Sequence, residues 1–327
     1  MTEAATTAEA DDGPLRAPFP WMGGKSRAAH LIWPRLGDVA NYVEPFAGSL
    51  AVLLRRPHAP GNEIVNDLDC YIANAWRAIA AAPEEVARWA DSPVNEADLH
   101  ARHRWLHAQA EFRERLRNDP HFYDATIAGW WCWGLSCWIG DNWCRPREQE
   151  ALPHLTGGMV EDAAAVADCA LPVNAIAPTA QTAGLLAWFN RLAARLRHTK
   201  VCCGDWTRVC TKAATYGNGL TGVMLDPPYE GYADSYGKID CVSAAVRAWA
   251  IENGSNPLMR IALCGYDTEH GPHMPPDWTC VAWKAAGGYG NKKGREANVN
   301  ATRERIWFSP YCLRPEGELD FGAEVMP

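Results

Sequence analysis

No Cys-x-x-Cys pair occurs in this chain of 327 residues, although it holds twelve cysteines. Cys132, Cys137 and Cys144 are separated by four and six residues, and Cys202 and Cys203 are adjacent. That spacing gives neither a zinc signature nor a disulfide framework. Several cysteines lie in apolar runs, Cys202, Cys203 and Cys264 among them. They read as reduced thiols acting as small hydrophobes in a reducing compartment. No segment reaches the ~18 consecutive apolar residues of a membrane span. The opening MTEAATTAEADDGP has acids and small side chains where a secretory signal has basic and apolar regions. It reads as a disordered lead-in over 1–14 to a cytoplasmic protein. Positive charge is not in excess either: 31 Lys and Arg face 39 Asp and Glu, a net charge of −8. This argues against a protein that coats nucleic acid through bulk charge. Glu3, Glu9, Asp11 and Asp12 near the start, and Glu316, Glu318, Asp320 and Glu324 near the end, carry eight of the acids. Without them the body is near neutral and compatible with a local basic cleft.

Two stretches have strand and helix signals in alternation. Residues 39–46 read as a strand entering a small-residue turn at 47–49, followed by a helix-like apolar run over 50–56. A second strand over 63–69 ends in acids, and a helix follows over 70–80. This is a β–α–β half of the nucleotide-binding type. From Pro83 to Leu196 no β–α repeat is visible. Residues 84–118 are charged and helical, 126–144 are aromatic-rich, 151–183 read as loop, and 184–197 form an amphipathic helix. Sixteen tryptophans, several of them in the aromatic-rich stretch, exceed what core filling alone requires. Strand signals return at 199–205, 221–226, 260–265, 279–285 and 304–309, with a helix over 241–253. The last two strands read as an antiparallel hairpin with a long loop. The organisation expected is a catalytic domain made of 15–82 and 197–313, a helical insertion over 83–196, and a tail over 314–327.

The strongest motif is VMLDPPYEGY at 223–232. An apolar strand ends at Asp226, followed by Pro227, Pro228 and Tyr229. Ligands collect at the carboxyl ends of strands in open α/β sheets, and two prolines there remove backbone donors and stiffen the turn. The set suits a planar amino group, whose hydrogens donate to the Asp226 carboxylate and the Pro227 carbonyl while Tyr229 stacks on the ring. The second motif is YVEPFAGSLAV at 42–52, a strand, a small-residue turn and a helix start. Small residues admit a ligand close to the backbone. Asp67, ending the next strand about twenty residues on, is placed for ribose hydroxyls, though such an acid also serves as a helix cap. The third is FPWMGGKSRAAHLI at 19–32. Its glycines are too close for a nucleoside triphosphate loop. Lys25 suits a carboxylate partner, and Trp21 suits packing on a cation or ring.

Together these stretches resemble the Dam-type DNA N6-adenine methyltransferases, of the kind found in phages and prophages, over about Pro18 to Pro310. In that group the cofactor motif comes first, the target-recognition region second and the catalytic motif last. The resemblance implies a Rossmann-like α/β fold with an inserted helical target-recognition domain, S-adenosylmethionine as cofactor and double-stranded DNA as partner, with no metal and no membrane. It implies that Trp21 and Lys25 lie near the methionine end of the cofactor. It also implies that Glu44, Pro45, Phe46, Gly48 and Ser49 form the cofactor loop, and that Asp67 binds the ribose. Asp205 and Trp206 resemble the acidic–aromatic pair that reads the cofactor's adenine. Asp226 to Tyr229 hold the target adenine, with Asp226 also facing the cofactor. The family loop has the form F-x-G-x-G, and here Leu50 replaces the second glycine.

The resemblance also implies a mechanism. The target base leaves the helix, because its amino group is otherwise paired and stacked, and the nitrogen attacks the methyl group directly. Cytosine-C5 chemistry needs a cysteine after a proline, and no Pro-Cys pair exists in the chain. Candidate phosphate ligands are Lys292, Lys293 and Arg295 in the long hairpin loop, with Arg102, Arg104, Arg113, Arg115 and Arg117 in the insertion. Part of the stretch at 138–145, ending in Arg145, is expected to reach bases. Two alternatives differ in outcome. One is an N4-cytosine methyltransferase, with nearly the same pocket chemistry. The other is a catalytically silent DNA-binding relative, against which the intact Asp226 and Tyr229 argue. An oxidoreductase is disfavoured by the absence of G-x-G-x-x-G.

Overall fold

The computed structural model describes residues 15–21, 23–119, 121–138, 143–144, 178–229, 242–283 and 303–315, with backbone alone over 178–183. The elements run α1 (Ala29–Leu36), β1 (Asn41–Glu44), β2 (Asn62–Asp67), α2 (Cys70–Ala81), α3 (Pro83–Ala90), α4 (Glu96–His107), α5 (Ala110–Asn118) and α6 (Ala125–Cys137). They continue with α7 (Pro178–Leu196), β3 (Thr199–Cys203), β4 (Thr221–Leu225), α8 (Val242–Gly254), β5 (Met259–Tyr266), α9 (Asp267–His270), β6 (Thr279–Ala282) and β7 (Glu304–Phe308). They group into two compact units. One holds Met1–Pro20 and Asn74–Arg197, the other Trp21–Ala73 and His198–Pro327. The first boundary therefore falls inside α2, ahead of the 82/83 boundary expected from composition.

The second unit is built on one seven-stranded sheet of order β3-β2-β1-β4-β5-β7-β6. β1 to β5 pair in parallel, and β7 runs antiparallel to both β5 and β6. This is the mixed α/β, Rossmann-like arrangement expected. The central strands are apolar on both faces, as parallel strands covered on two sides must be. On one face Val43, Val223, Leu225, Ile261, Leu263 and Trp307 pack with Val246 and Ala250 of α8. Gly222 belongs to the other face. A Cβ there would stand 3.2 Å from Val39 and 3.4 Å from Leu36, so the bare backbone lets α1 and its following turn approach the sheet. Strand order reverses between β1 and β4, so the crevice at their carboxyl ends is where such sheets bind ligands.

The first unit is helical. Gly129 brings α6 against α3: a Cβ there would meet the Trp89 Cβ at 2.4 Å and the Val86 carbonyl at 2.8 Å. Gly134 gives room to Trp143, whose indole N–H donates to the Trp131 carbonyl at 3.1 Å. Asn95 and Asp124 cap α4 and α6 through the Asp98 and Ile127 amides, satisfying donors a helix start leaves open. Trp131, Trp133, Trp138 and Trp143 are all buried, so much of the tryptophan excess is core after all.

Two elements differ from expectation. The apolar run 50–56 forms no α-helix but a single 3-10 turn, Leu53–Arg55. Leu50 enters it with φ of 52°, and Pro57 lacks the amide that another helical turn would use. The amphipathic helix begins at Pro178, six residues before the 184 start read from the sequence. Proline is well tolerated where a helix opens, and the alanines that follow favour helix.

Candidate active site

Four neighbouring strands deliver side chains to one edge of the sheet. β1 ends in Glu44, β2 in Asp67, β3 is followed by Asp205, and β4 by Asp226. Because β1 and β4 pair in register from Asn41↔Thr221 to Val43↔Val223, Glu44 ends its strand at the switch point and Asp226 emerges there two residues beyond the level of Glu44.

At the centre is an ion pair that joins two of the sequence motifs. Lys25 Nζ lies 2.9 Å from Asp226 Oδ1 and donates to the Gly23 carbonyl at 3.0 Å. Lys25 is only 4% exposed. Burial, the largest influence, pushes its ammonium down, but Asp226, Cys264 and Glu304 together more than offset this, and the group ends above the ordinary lysine range. The ammonium also lies over the rings of Tyr229, at 5.0 Å, and Trp283, at 5.5 Å. Lys25 thus meets a carboxylate, as its setting suggested, and in the structure that carboxylate is the chain's own Asp226. The Tyr229 hydroxyl stands 3.2 Å from Asp226 Oδ1 and 2.9 Å from Glu304 Oε2, and Tyr266 packs edge-on against its ring at 4.7 Å. Both partners of Asp226 converge on Oδ1, which leaves Oδ2 for another donor.

The loop after β1 is held from two sides. The Gly48 amide donates to Asp67 Oδ2 at 3.0 Å, and the Asp69 amide donates to Asp67 Oδ1 at 2.9 Å. Asp67 therefore fixes the loop, and each of its oxygens keeps further acceptor capacity. Gly48 has φ of 44°, and a Cβ there would fall 2.5 Å from the Trp21 indole nitrogen, so Trp21 closes over the loop. Gly24 lies near Ser49, whose Oγ would be 3.6 Å from an added Cβ. Glu44 is buried and accepts the Tyr42 hydroxyl at 3.0 Å. Burial, opposed in part by that bond and reinforced by Asp226, pushes its carboxyl up to about 8. Burial likewise takes Asp67 to about 7 against the pull of its backbone donors. Across the loop Phe46 stacks on Trp206, with ring centroids 6.3 Å apart and planes 29° apart. Asp205 is exposed and caps the turn after β3 through the Thr207 amide at 2.9 Å.

Residues 21–126 match the family model of the D12 class N6 adenine-specific DNA methyltransferases. That stretch of the chain is similar to the family, and the match covers less than half of the 327 residues. The match supports an adenine-specific DNA methyltransferase over the N4-cytosine alternative. The match contains Trp21, Lys25, the Glu44–Ser49 loop and Asp67. The DPPY segment lies beyond it and stands on its geometry. No curated protein matches the chain.

The structure gathers Trp21, Lys25, Glu44, Phe46, Gly48, Asp67, Asp226 and Tyr229 at one sheet edge, with Asp205 and Trp206 beside them. Pro45, Ser49, Pro227 and Pro228 shape the turns between. Arg145, Lys292, Lys293 and Arg295 lie outside the described residues. Sequence reasoning missed Glu304, which is buried against Tyr229. The available signal was topological. A strand that closes a parallel sheet in the antiparallel sense starts at the carboxyl edge, so its first residue faces the site. Among the described residues no cluster of His, Cys, Asp or Glu would hold a metal ion, and no helix is long and apolar enough to cross a membrane.

Proposed function

We propose that this methyltransferase transfers a methyl group from S-adenosylmethionine to the N6 amino group of an adenine flipped out of double-stranded DNA. The observation that carries the reading is the Lys25–Asp226–Tyr229 arrangement at the switch point, beside an acid-lined, glycine-opened loop. The cleft fits the cofactor chemically. Its acidic side chains, Glu44, Asp67 and Asp205, match a ligand with ribose hydroxyls whose positive charge would favour their ionised forms, and Gly48 leaves the loop backbone open. The Phe46 and Trp206 rings form an apolar wall for a nucleobase. S-adenosylmethionine, when bound there, supplies an electrophilic methyl group.

The residues of the chain do the positioning. Lys25 holds Oδ1 of Asp226, so Oδ2 and the Pro227 carbonyl accept the two amino hydrogens and aim the nitrogen lone pair. Tyr229 supplies a ring face for the base. Such preorganised acceptors require no rearrangement as charge develops. The buried Lys25 ammonium holds the Asp226 carboxyl group in place at 2.9 Å.

DNA contacts are assigned to Lys292, Lys293 and Arg295, with Arg145 and the exposed arginines of α5, Arg113, Arg115 and Arg117, as further ligands. If each loop cation neutralises one phosphate, the triple alanine variant of Lys292, Lys293 and Arg295 flattens the plot of log K against log salt by about 0.9 per residue removed. An unchanged slope moves the role to α5. The function itself is tested by incubating the protein with duplex DNA and methyl-labelled S-adenosylmethionine, then digesting to nucleosides. Label in N6-methyladenine supports the reading, and label in N4-methylcytosine, or none, refutes it.

A further inference from the structure

Methylation of an amino group leaves a proton to be removed, and the site contains a path for it that none of the sequence motifs announces. Asp226 Oδ1, the Tyr229 hydroxyl and Glu304 Oε2 form a continuous chain with steps of 3.2 and 2.9 Å. The phenol has one hydrogen and two carboxylate neighbours, so it can donate to only one of them at a time. At rest the shorter contact takes it: Tyr229 donates to Glu304, while Asp226 Oδ1 is satisfied by Lys25 at 2.9 Å. The 3.2 Å contact then joins two acceptors and gains a hydrogen only when Asp226 itself acquires one.

We infer that Glu304 is the terminal acceptor of the proton released by methyl transfer, reached from Asp226 through the Tyr229 hydroxyl. The inference rests on the proposed adenine N6 reaction. As the N6–carbon bond forms and the methyl–sulfur bond breaks, the sulfur keeps the bonding pair and the nitrogen becomes cationic. An N6–H bond then breaks and its proton joins Asp226. The carboxyl group turns to bring its protonated oxygen to Tyr229, Asp226 passes that proton to the Tyr229 oxygen, and the original O–H hydrogen of the phenol moves to Glu304. The phenol gains one proton and loses one, so it remains neutral throughout, in keeping with an acidity far below that of free tyrosine. Glu304 acts through Tyr229 and does not touch the base.

The surroundings of Glu304 suit the task. It opens β7 opposite Tyr266 of β5, is buried, and is faced by Lys25, Asp226, Tyr229 and Glu269, with Cys264 also in its field. Burial raises its carboxyl above the usual range, Lys25 opposes this, Asp226 adds to it, and the Tyr229 hydrogen bond opposes it. A raised carboxyl holds a passed proton better than an exposed one. The backbone of Glu304 is fixed by the Trp283 amide, which donates to its carbonyl at 3.3 Å.

The test uses Glu304→Gln, which keeps an acceptor for the tyrosine hydroxyl but cannot take a proton. In the full-length protein, kcat should fall roughly 10- to 100-fold, toward the lower end of proton-transfer effects, with cofactor and DNA affinities unchanged. The acid limb of the wild-type pH–rate profile should vanish with the substitution. A second readout needs neither cofactor nor DNA. In glutamate carbon-13 spectra of the ligand-free protein, the resonance absent from Glu304→Gln identifies Glu304. Its titration midpoint should match the acid limb and rise in Tyr229→Phe, because the donor that favours the ionised form is gone. A Glu304→Gln enzyme with wild-type kcat and an intact acid limb overturns the relay. So does a Glu304 midpoint indifferent to Tyr229→Phe. Wild-type protein that makes no N6-methyladenine refutes the reaction itself, a result distinct from both, because the resonance still reports the Tyr229–Glu304 contact.

Discussion

The two units differ in how deeply their ion pairs lie. In the sheet unit the buried ions meet one another: Lys25 with Asp226 at 2.9 Å, and Arg56 with Glu63 at 3.2 Å. In the helical unit Arg102 pairs with the exposed Asp98 at 3.8 Å, and cations also lie against rings. Arg102 lies 4.2 Å from the Trp133 ring centre and 5.1 Å from that of Trp130, and Arg115 lies 4.0 Å from that of Phe122. His103 stacks on Trp138 at 4.9 Å. Arg77 instead donates to the carbonyls of Leu116, Asp119 and Phe122, closing the end of α5. A buried ion pair is costly to form and costlier to break from one side, so it survives where chemistry needs a fixed charge. Cation–ring contacts are each worth about 0.5–2 kcal/mol and tolerate exchange. The proposed chemistry falls in the sheet unit, where Lys25 pairs with Asp226.

The largest effect should follow breaking the central pair. Asp226→Ala should lower kcat by at least about 10²–10³, read in single-turnover methylation, and should also lower the unfolding temperature, since Lys25 is left buried and unpaired. Adding Lys25→Met should recover stability but not activity. If Arg102→Ala proved as damaging to kcat, the division between units would fail. Next in size, Asp67→Ala should weaken S-adenosylmethionine binding by about 1.5–3 kcal/mol in calorimetry, because it removes the anchor of the Gly48 amide and the proposed ribose acceptor.

The comparison sharpens with pH. Glu44, raised to about 8, and Asp67, raised to about 7, bind more protons folded than unfolded. Their contribution is full below the ordinary carboxyl range and is lost as pH rises through those values. His103 has the opposite sign: burial first, then His107 and His100, lower it to about 4. Its contribution is present above 6.5 and lost as pH falls toward 4. Hydrogen exchange of the ligand-free protein should show the β1 and β2 ends loosening toward pH 8 and α4 loosening toward pH 4. Matching responses in both regions would break the contrast. The smallest effect concerns Leu50. Leu50→Gly relieves roughly 1–2 kcal/mol of left-handed strain but removes a fully buried side chain, worth about 2–5 kcal/mol in a core. The variant should therefore be less stable by denaturant unfolding, with cofactor affinity retained.

Much of the sheet unit was legible in the sequence because its signals are local. VMLDPPY marks a strand and its end without reference to any partner, and the β1 loop likewise reads from its own small residues. Asp67 was harder, since an acid at a strand end reads equally as ligand or cap, and here it grips the Gly48 loop. Leu50 misled because its apolar run has helical spacing, whereas its backbone turns left-handed. Lys25 and Glu304 required the fold. The Lys25–Asp226 pair spans about two hundred residues, and Glu304 reaches the site only because β7 reverses direction. In the helical unit the tryptophans gave no direction to read. Whether a tryptophan is core or surface depends on which glycines admit it, and Gly129 and Gly134 became informative only when Trp89 and Trp143 were seen against them.

The account is tested most directly in a host that expresses the chain. Sequencing of host DNA for modified bases should show N6-methyladenine at one defined sequence with the wild-type protein and none with Asp226→Ala at equal protein level. Methylation that persists in the Asp226→Ala strain, or modified cytosine in place of adenine, would contradict the central claim.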